Sequence, residues 1–169
     1  VATNSKVNVV VTARDKLVAL ATACDELGFT IAGINIEELA LTPLFDEDKM
    51  AHMLVTHLPD EELLFTVIKA GELLMQRRVR GFNQLHKAKD EELSYGLADN
   101  LSLEIQRSMD YFESQLRQAP VSTINLLTEG QQQTLVKLVA ANFNQQVKAI
   151  VHQGVSAYLA RLAFNELSR

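Results

Sequence analysis

Residues 52–80 read HMLVTHLPDEELLFTVIKAGELLMQRRVR, and the fold turns on how this stretch is parsed. It holds three short apolar runs, His52 to Leu58, Leu63 to Lys69 and Leu73 to Arg80. Pro59-Asp60 separates the first two and Ala70-Gly71 the last two, and both pairs favour turns. Runs joined by so few residues must pair antiparallel, because a parallel return needs a crossover of roughly a dozen residues or more. Gly81 closes this predicted meander.

Beyond it the pattern changes. Leu93, Leu97, Leu101, Ile105, Met109, Phe112 and Leu116 recur every three or four residues, the spacing of one helix face. Asp90 or Asn100 can start this helix, Gly96 leaves a break near Asn100 open, and Pro120 ends its reach. Val121 to Leu127 then reads as a strand, Gln131 to Asn142 as a helix, Val147 to Val151 as a strand and Val155 to Leu167 as a closing helix. The order β-β-β-α-β-α-β-α is that of a ribonuclease-H-like domain. Right-handed crossovers then predict a five-stranded mixed sheet in the order 3-2-1-4-5.

Towards the N-terminus, VNVVV at Val7 to Val11 reads as a buried strand, and Arg14 to Leu27 as a helix stopped by Gly28. Phe29 to Ile34 reads as a second strand. Asn35 is placed to cap a short helix with Glu38 as its capping-box partner, running to about Phe45. This β-α-β-α order matches the last four elements of the same domain type. The charged break Asp46 to Lys49 is the expected boundary. Residues 1–45 thus read as the tail of a first ribonuclease-H-like subdomain and 46–169 as a complete one. Two such subdomains in tandem make the actin-like ATPase architecture. The chain begins at Val1 and not at Met, so the expectation is a piece of a longer protein. Val7 to Val11 is apolar on both faces and lacks its flanking strands, so it is expected to pair with a second copy or a partner, or to be covered by its own helices.

Composition narrows the function. The chain has 169 residues and a formal net charge of -5, which argues against nucleic acid and anionic membrane as partners. One cysteine, Cys24, excludes an intrachain disulfide and fits a reducing compartment. No apolar run approaches the ~20 residues of a membrane span, and no leader pattern is visible.

Motifs of catalysis are missing from the expected places. A ribonuclease H carries metal-binding carboxylates on its first strand, first helix and fourth strand. Here the first and fourth predicted strands have neither Asp nor Glu, and Glu104 stands alone on the long helix. His52 and His57 lie on one predicted strand at a spacing that sends them to opposite faces, and His86 and His152 are scattered. Cys24 falls on the apolar face of its helix, as a buried inert thiol would. Arg77, Arg78 and Arg80, with Lys69 nearby, form a small basic group; alternation puts Arg78 and Arg80 on one face and Arg77 on the other. No phosphate-loop or dinucleotide motif is present.

The stretch Leu101 to Tyr111, LSLEIQRSMDY, with Phe112 and Glu113, resembles a helix of PilM-type pilus assembly proteins. These are actin-like proteins of the type IV pilus inner-membrane platform. Val7 to Val11, then Leu27-Gly28 through Ile36-Glu37 and Ala40-Leu41, look like that family's strand–helix–strand–helix. Lys69-Ala70-Gly71-Glu72 with Arg78 and Gly81 looks like its hairpin. The divergence looks closest to the branch serving mannose-sensitive haemagglutinin (MSHA) pili.

The resemblance implies a nucleotide site, and the residues depart from it. The family's second phosphate loop carries Asp-x-Gly; Thr56-His57-Leu58-Pro59 stands there. Its adenosine loop is a Gly-Gly pair; Leu127-Thr128-Glu129-Gly130 stands there. Its first phosphate loop lies in an N-terminal hairpin that this chain lacks. The expectation is therefore a degenerate site with no catalytic, cofactor-binding or metal-binding residue. The expected role is a cytoplasmic scaffold that binds the tail of a PilN-like inner-membrane protein and is peripheral to the membrane through it. The alternative is an actin-like ATPase, using ATP and Mg, whose first phosphate loop lies upstream.

Overall fold

The computed structural model describes residues 9–167, with side chains to 165. The chain divides into two compact units, Val1–Ile34 and Asn35–Arg169.

In the first unit one helix is formed, α1 (Arg14–Glu26), and it buries none of its residues. Cys24 is accordingly half-buried, against the expectation of a buried thiol. Among the described residues the two strands expected here are not found: Val9, Val10 and Val11 are exposed and in no strand, Val7 and Asn8 lie outside the described residues, and 29–34 form no strand. Apolar β-branched residues make a strand only when a neighbouring strand takes up their N–H and C=O groups, and no described strand pairs with these.

The second unit is built on the meander. Strands β1 (His52–Thr56), β2 (Leu63–Lys69) and β3 (Glu72–Val79) pair antiparallel in sequence. Strand β4 (Thr123–Leu127) pairs parallel with β1, and β5 (Gln146–Ala149) pairs parallel with β4. The sheet order is β3-β2-β1-β4-β5, as the alternation of elements predicted. The β2–β3 turn places both Ala70 and Gly71 at positive φ, 50° and 74°. That is the twist a two-residue hairpin demands.

Helices cover both faces. On one, α4 (Ala98–Ser114) and α5 (Gln132–Ala140) set Leu101, Ile105, Met109, Phe112, Leu135 and Val139 against Met53, Val55, Phe65 and Ile124. On the other, Leu41, Leu44, Phe45, Val155 and Leu162 pack on Leu54, Leu64, Ile68 and Leu127. These come from α2 (Glu37–Ala40) with the 3-10 turn Thr42–Phe45 behind it, and from α6 (Val155–Leu167). The break between units therefore falls at Ile34/Asn35 and not at Asp46, because α2 and its 3-10 turn complete a layer of the second unit. The expected capping box is not made either. Ile36 is the N-cap of α2, Asn35 Oδ1 accepts from the Ile36 N–H, and Glu38 turns to Arg78 instead.

The long predicted helix is broken earlier than Asn100. A short α3 (Asp90–Glu92) leads into a π-turn, Leu93–Leu97, in which Tyr95 and Gly96 leave helical geometry. Gly96 takes φ 118°, which a side chain would resist.

Candidate functional site

In open α/β sheets ligands gather beyond the carboxyl ends of the strands where connections diverge. Here that place is the end of β1 and β4: β1 turns into β2 while β4 runs on to α5. The sequence loops Thr56-His57-Leu58-Pro59 and Leu127-Thr128-Glu129-Gly130 meet there, joined by a His57 N–H to Leu127 carbonyl bond of 3.0 Å.

The first loop is filled by its own residues. His57 is fully buried and its ring stacks on His86, centroids 5.7 Å apart. Neither ring nitrogen of His57 reaches a protein partner in good geometry. Burial pushes its pKa below the ordinary imidazole value and the His86 charge adds to this, against small opposing effects from the Asn83 and Glu61 backbone and from Glu129. Pro59 offers no N–H. Asp60, at φ 64°, is held by the segment that follows β3: its N–H donates to the Asn83 carbonyl at 3.1 Å, and its carboxylate accepts from Gln84 at 2.7 Å and Lys87 at 3.2 Å. The Gln84 side chain, first, and Lys87 hold Asp60 below the usual carboxylate range.

The second loop is equally occupied. A Cβ on Gly130, φ 84°, would stand 2.6 Å from the His86 carbonyl oxygen, so this glycine serves a close approach of two protein backbones. Glu129 Oε1 accepts the Val155 N–H at 3.0 Å, placing its charge on the first turn of α6. His152 Nε2 lies 3.0 Å from the Thr128 carbonyl while its Nδ1 accepts the Gly154 N–H at 3.0 Å. The buried Thr56 and Thr128 hydroxyls have no protein partner. A cleft of about 370 Å³ opens beside this end, between His152 and Arg161.

One further constellation escaped the sequence. At the opposite end of β1, Asp48 Oδ2 lies 2.8 Å from His52 Nε2, and His52 Nδ1 lies 2.8 Å from Thr123 Oγ1 and 3.2 Å from Ser122 Oγ. The order Asp–His–hydroxyl is that of a nucleophilic triad. Here, though, Phe45 stacks on the imidazole at 4.4 Å and the Ser122 hydroxyl donates to the Ala51 carbonyl. This is a clamp tying the 3-10 turn to β1 and β4. The signal was invisible because Ser122 and Thr123 are far from His52 in sequence.

The arginines divide as alternation predicted for Arg77 and Arg78. Arg77 reaches Glu104 at 2.6 Å and Ser108 at 3.0 Å on α4, whereas Arg78 reaches Glu37 and Glu38 at 3.1 and 2.9 Å on α2. Burial raises the Glu37 pKa, and the Arg78 contact only partly offsets it. Arg80 stands beyond the strand and pairs with Glu62. Glu104 is thus committed to arginines. Among the described residues no group of three or more His, Cys, Asp or Glu is placed to hold a metal ion. No described helix is long and apolar enough to cross a membrane.

No family model matches the chain, and no curated protein matches it. Solved structures do. One match is a chain of the PilM-PilN type IV pilus biogenesis complex, with a TM-score of 0.59 at 16% identity over 82% of this chain and 48% of that one. The fold is therefore one shared with a component of that complex. This chain spans about half the length of its solved counterpart.

Proposed function

We propose that this chain belongs to a PilM-like component of type IV pilus assembly, of the MSHA branch, acting as an adaptor without catalysis. It would bind the cytoplasmic tail of a PilN-like membrane protein and be held at the inner membrane through it. The observation that carries this reading is the shared fold with a chain of the PilM-PilN complex, joined to the likeness of residues 101–113 to the family's helix. The fold's tandem arrangement, with 1–34 belonging to an earlier subdomain, is part of the same proposal.

The degenerate nucleotide site is its second element. Phosphate binding needs free backbone amides that approach closely. At this sheet end Pro59 has none, the Val155 amide is taken by Glu129, and the Gly130 backbone is pressed on His86. Losing amide–phosphate bonds costs about 1.5–3 kcal/mol each, so two losses move a micromolar site towards the millimolar range.

The test is calorimetry with Mg-ATP and, separately, with a synthetic tail of the PilN-like protein encoded in the same genome. Expected is saturable binding of the tail by the full-length protein and no micromolar binding of Mg-ATP. Micromolar Mg-ATP binding by this chain alone would overturn the adaptor reading. Binding by the full-length protein only would favour an ATPase with its first phosphate loop upstream.

A further inference from the structure

We infer that the trench between the outer edge of β3 and helix α4 is a docking surface for an extended acidic segment of a partner protein, which adds to the sheet as a sixth strand. The inference stands apart from the pilus reading, since it rests on the open edge and its charge alone.

Among the described residues strand β3 is the last of the sheet on its side, and no described strand pairs with its outward backbone groups. Such an edge is a template for any extended chain, and proteins guard it with charge. Arg77, Arg78 and Arg80 follow one another at its C-terminal end, and the strand's single carboxylate, Glu72, sits at the far end opposite Lys69. Arg78 is answered by Glu37 and Glu38 on the face away from α4, and Arg80 by Glu62. The charge left for a partner therefore lies on the α4 side, at Arg77.

The wall facing this edge carries the same charge. On α4, Leu103, Arg107 and Tyr111 are spaced i, i+4, i+8 and form one stripe. Leu103 and Tyr111 are 49% and 52% exposed. Arg107 and Arg77 share one carboxylate, Glu104, so one of the two positive charges is left uncompensated. Burial works to raise the Glu104 pKa, but the hydrogen bonds from Arg77 and Arg107 prevail and hold it low. The carboxylate thus stays charged and committed. Between strand and helix run a cleft of about 470 Å³, lined by Met75, Gln76 and Tyr111, and a second of about 290 Å³, lined by Arg80, Gly81 and Leu103; Arg107 lines both. A trench with backbone donors on one wall and alternating apolar and cationic side chains on the other fits a strand of alternating apolar and acidic residues.

The probe is a fluorescein-labelled peptide of alternating Glu and Val, matched to the eight residues of β3, titrated against the protein by fluorescence anisotropy. Expected is saturable binding that a Lys–Val counterpart shows at least ~10-fold more weakly, and that weakens from about 0.05 M to about 0.5 M salt. Arg77→Glu with Arg107→Glu should reverse the preference between the two peptides. Amide exchange of Gln76 to Val79 should slow when the Glu–Val probe is present, which reads strand addition in the unmodified protein and holds even if the double variant folds poorly. Equal binding of the two peptides, no saturation into the millimolar range, or unchanged exchange along β3 would each overturn the inference.

Discussion

Gly130→Ala separates two reasons for a glycine, and the structure lets their sizes be worked out. Its φ of 84° puts it in the left-handed region, which costs an alanine ~1 kcal/mol once the smaller entropy of the unfolded chain is set against it. Gly81 has φ 93° with nothing within 4 Å of a Cβ, so Gly81→Ala pays this conformational cost alone. At Gly130 the new Cβ would meet the His86 carbonyl oxygen at 2.6 Å, where ordinary contact begins at 3.4 Å. The backbones must separate by the difference, 3.4 − 2.6 = 0.8 Å. Forcing such overlap in packed structure costs roughly 1–3 kcal/mol. Gly130→Ala should therefore lose about 3 kcal/mol against about 1 for Gly81→Ala. At ~3 °C per kcal/mol for a chain of this length, the melting temperature should fall by about 9 °C and about 3 °C respectively. Thermal melts followed by far-ultraviolet circular dichroism measure both. Equal shifts in the two variants would refute the reasoning, since the contact with His86 would then have no energetic weight.

Other perturbations address the same sheet end and the hairpin. His57 has a depressed pKa in the folded chain, so the unfolded chain binds the proton more readily. Stability should then be highest above the unfolded value of ~6.5 and fall as pH drops through the window beneath it. His57→Phe should flatten this dependence in urea midpoints taken between about pH 7.5 and about pH 5.5. Glu129→Ala removes the acceptor of the Val155 N–H and should cost about 1–2 kcal/mol, whereas Glu129→Gln keeps an oxygen and should cost under ~1; equal losses in chemical denaturation would show that the charge, and not the hydrogen-bond acceptor, carries the effect. Ala70→Gly relieves a side chain at φ 50° in the β2–β3 turn and should raise stability by roughly 0.5–1 kcal/mol, read as a higher urea midpoint with unchanged slope.

What the sequence disclosed follows from which interactions are local. The meander was legible because Pro59-Asp60 and Ala70-Gly71 punctuate apolar runs, and the parallel half because helix-period and strand runs alternate after Ala98. Val9 to Val11 and Phe29 to Ile34 misled because a strand is made by its neighbours, and β-branched composition supplies none. The boundary was misplaced at Asp46 for a related reason. A charged loop looks like a linker, yet the residues before it, Leu41 to Phe45, are bound to the sheet by long-range packing. Of the two loops, their positions at the sheet end were readable by resemblance. That His86 would close over both, and that Glu129 would turn to α6, depends on contacts between segments far apart in the chain. The His52 clamp was hidden in the same way.

Binding free energy is available only where polar groups and apolar area are not already taken up within the protein. At the ends of β1 and β4 the Asp60 carboxylate, the Glu129 carboxylate, the Val155 amide and the His57 amide each have a partner within the chain. A ligand placed there must break those bonds before making its own. Along β3 the balance is different. The outward backbone of the strand is paired by no other described strand, Leu103 and Tyr111 keep about half their surface in water, and two arginines divide one carboxylate. A partner strand would gain main-chain hydrogen bonds and apolar contact there and supply the missing negative charge, at the cost of its own ordering. The two places thus offer a partner different things: main-chain groups and a divided charge along β3, and at the loop end the buried hydroxyls of Thr56 and Thr128 and the ring nitrogens of His57.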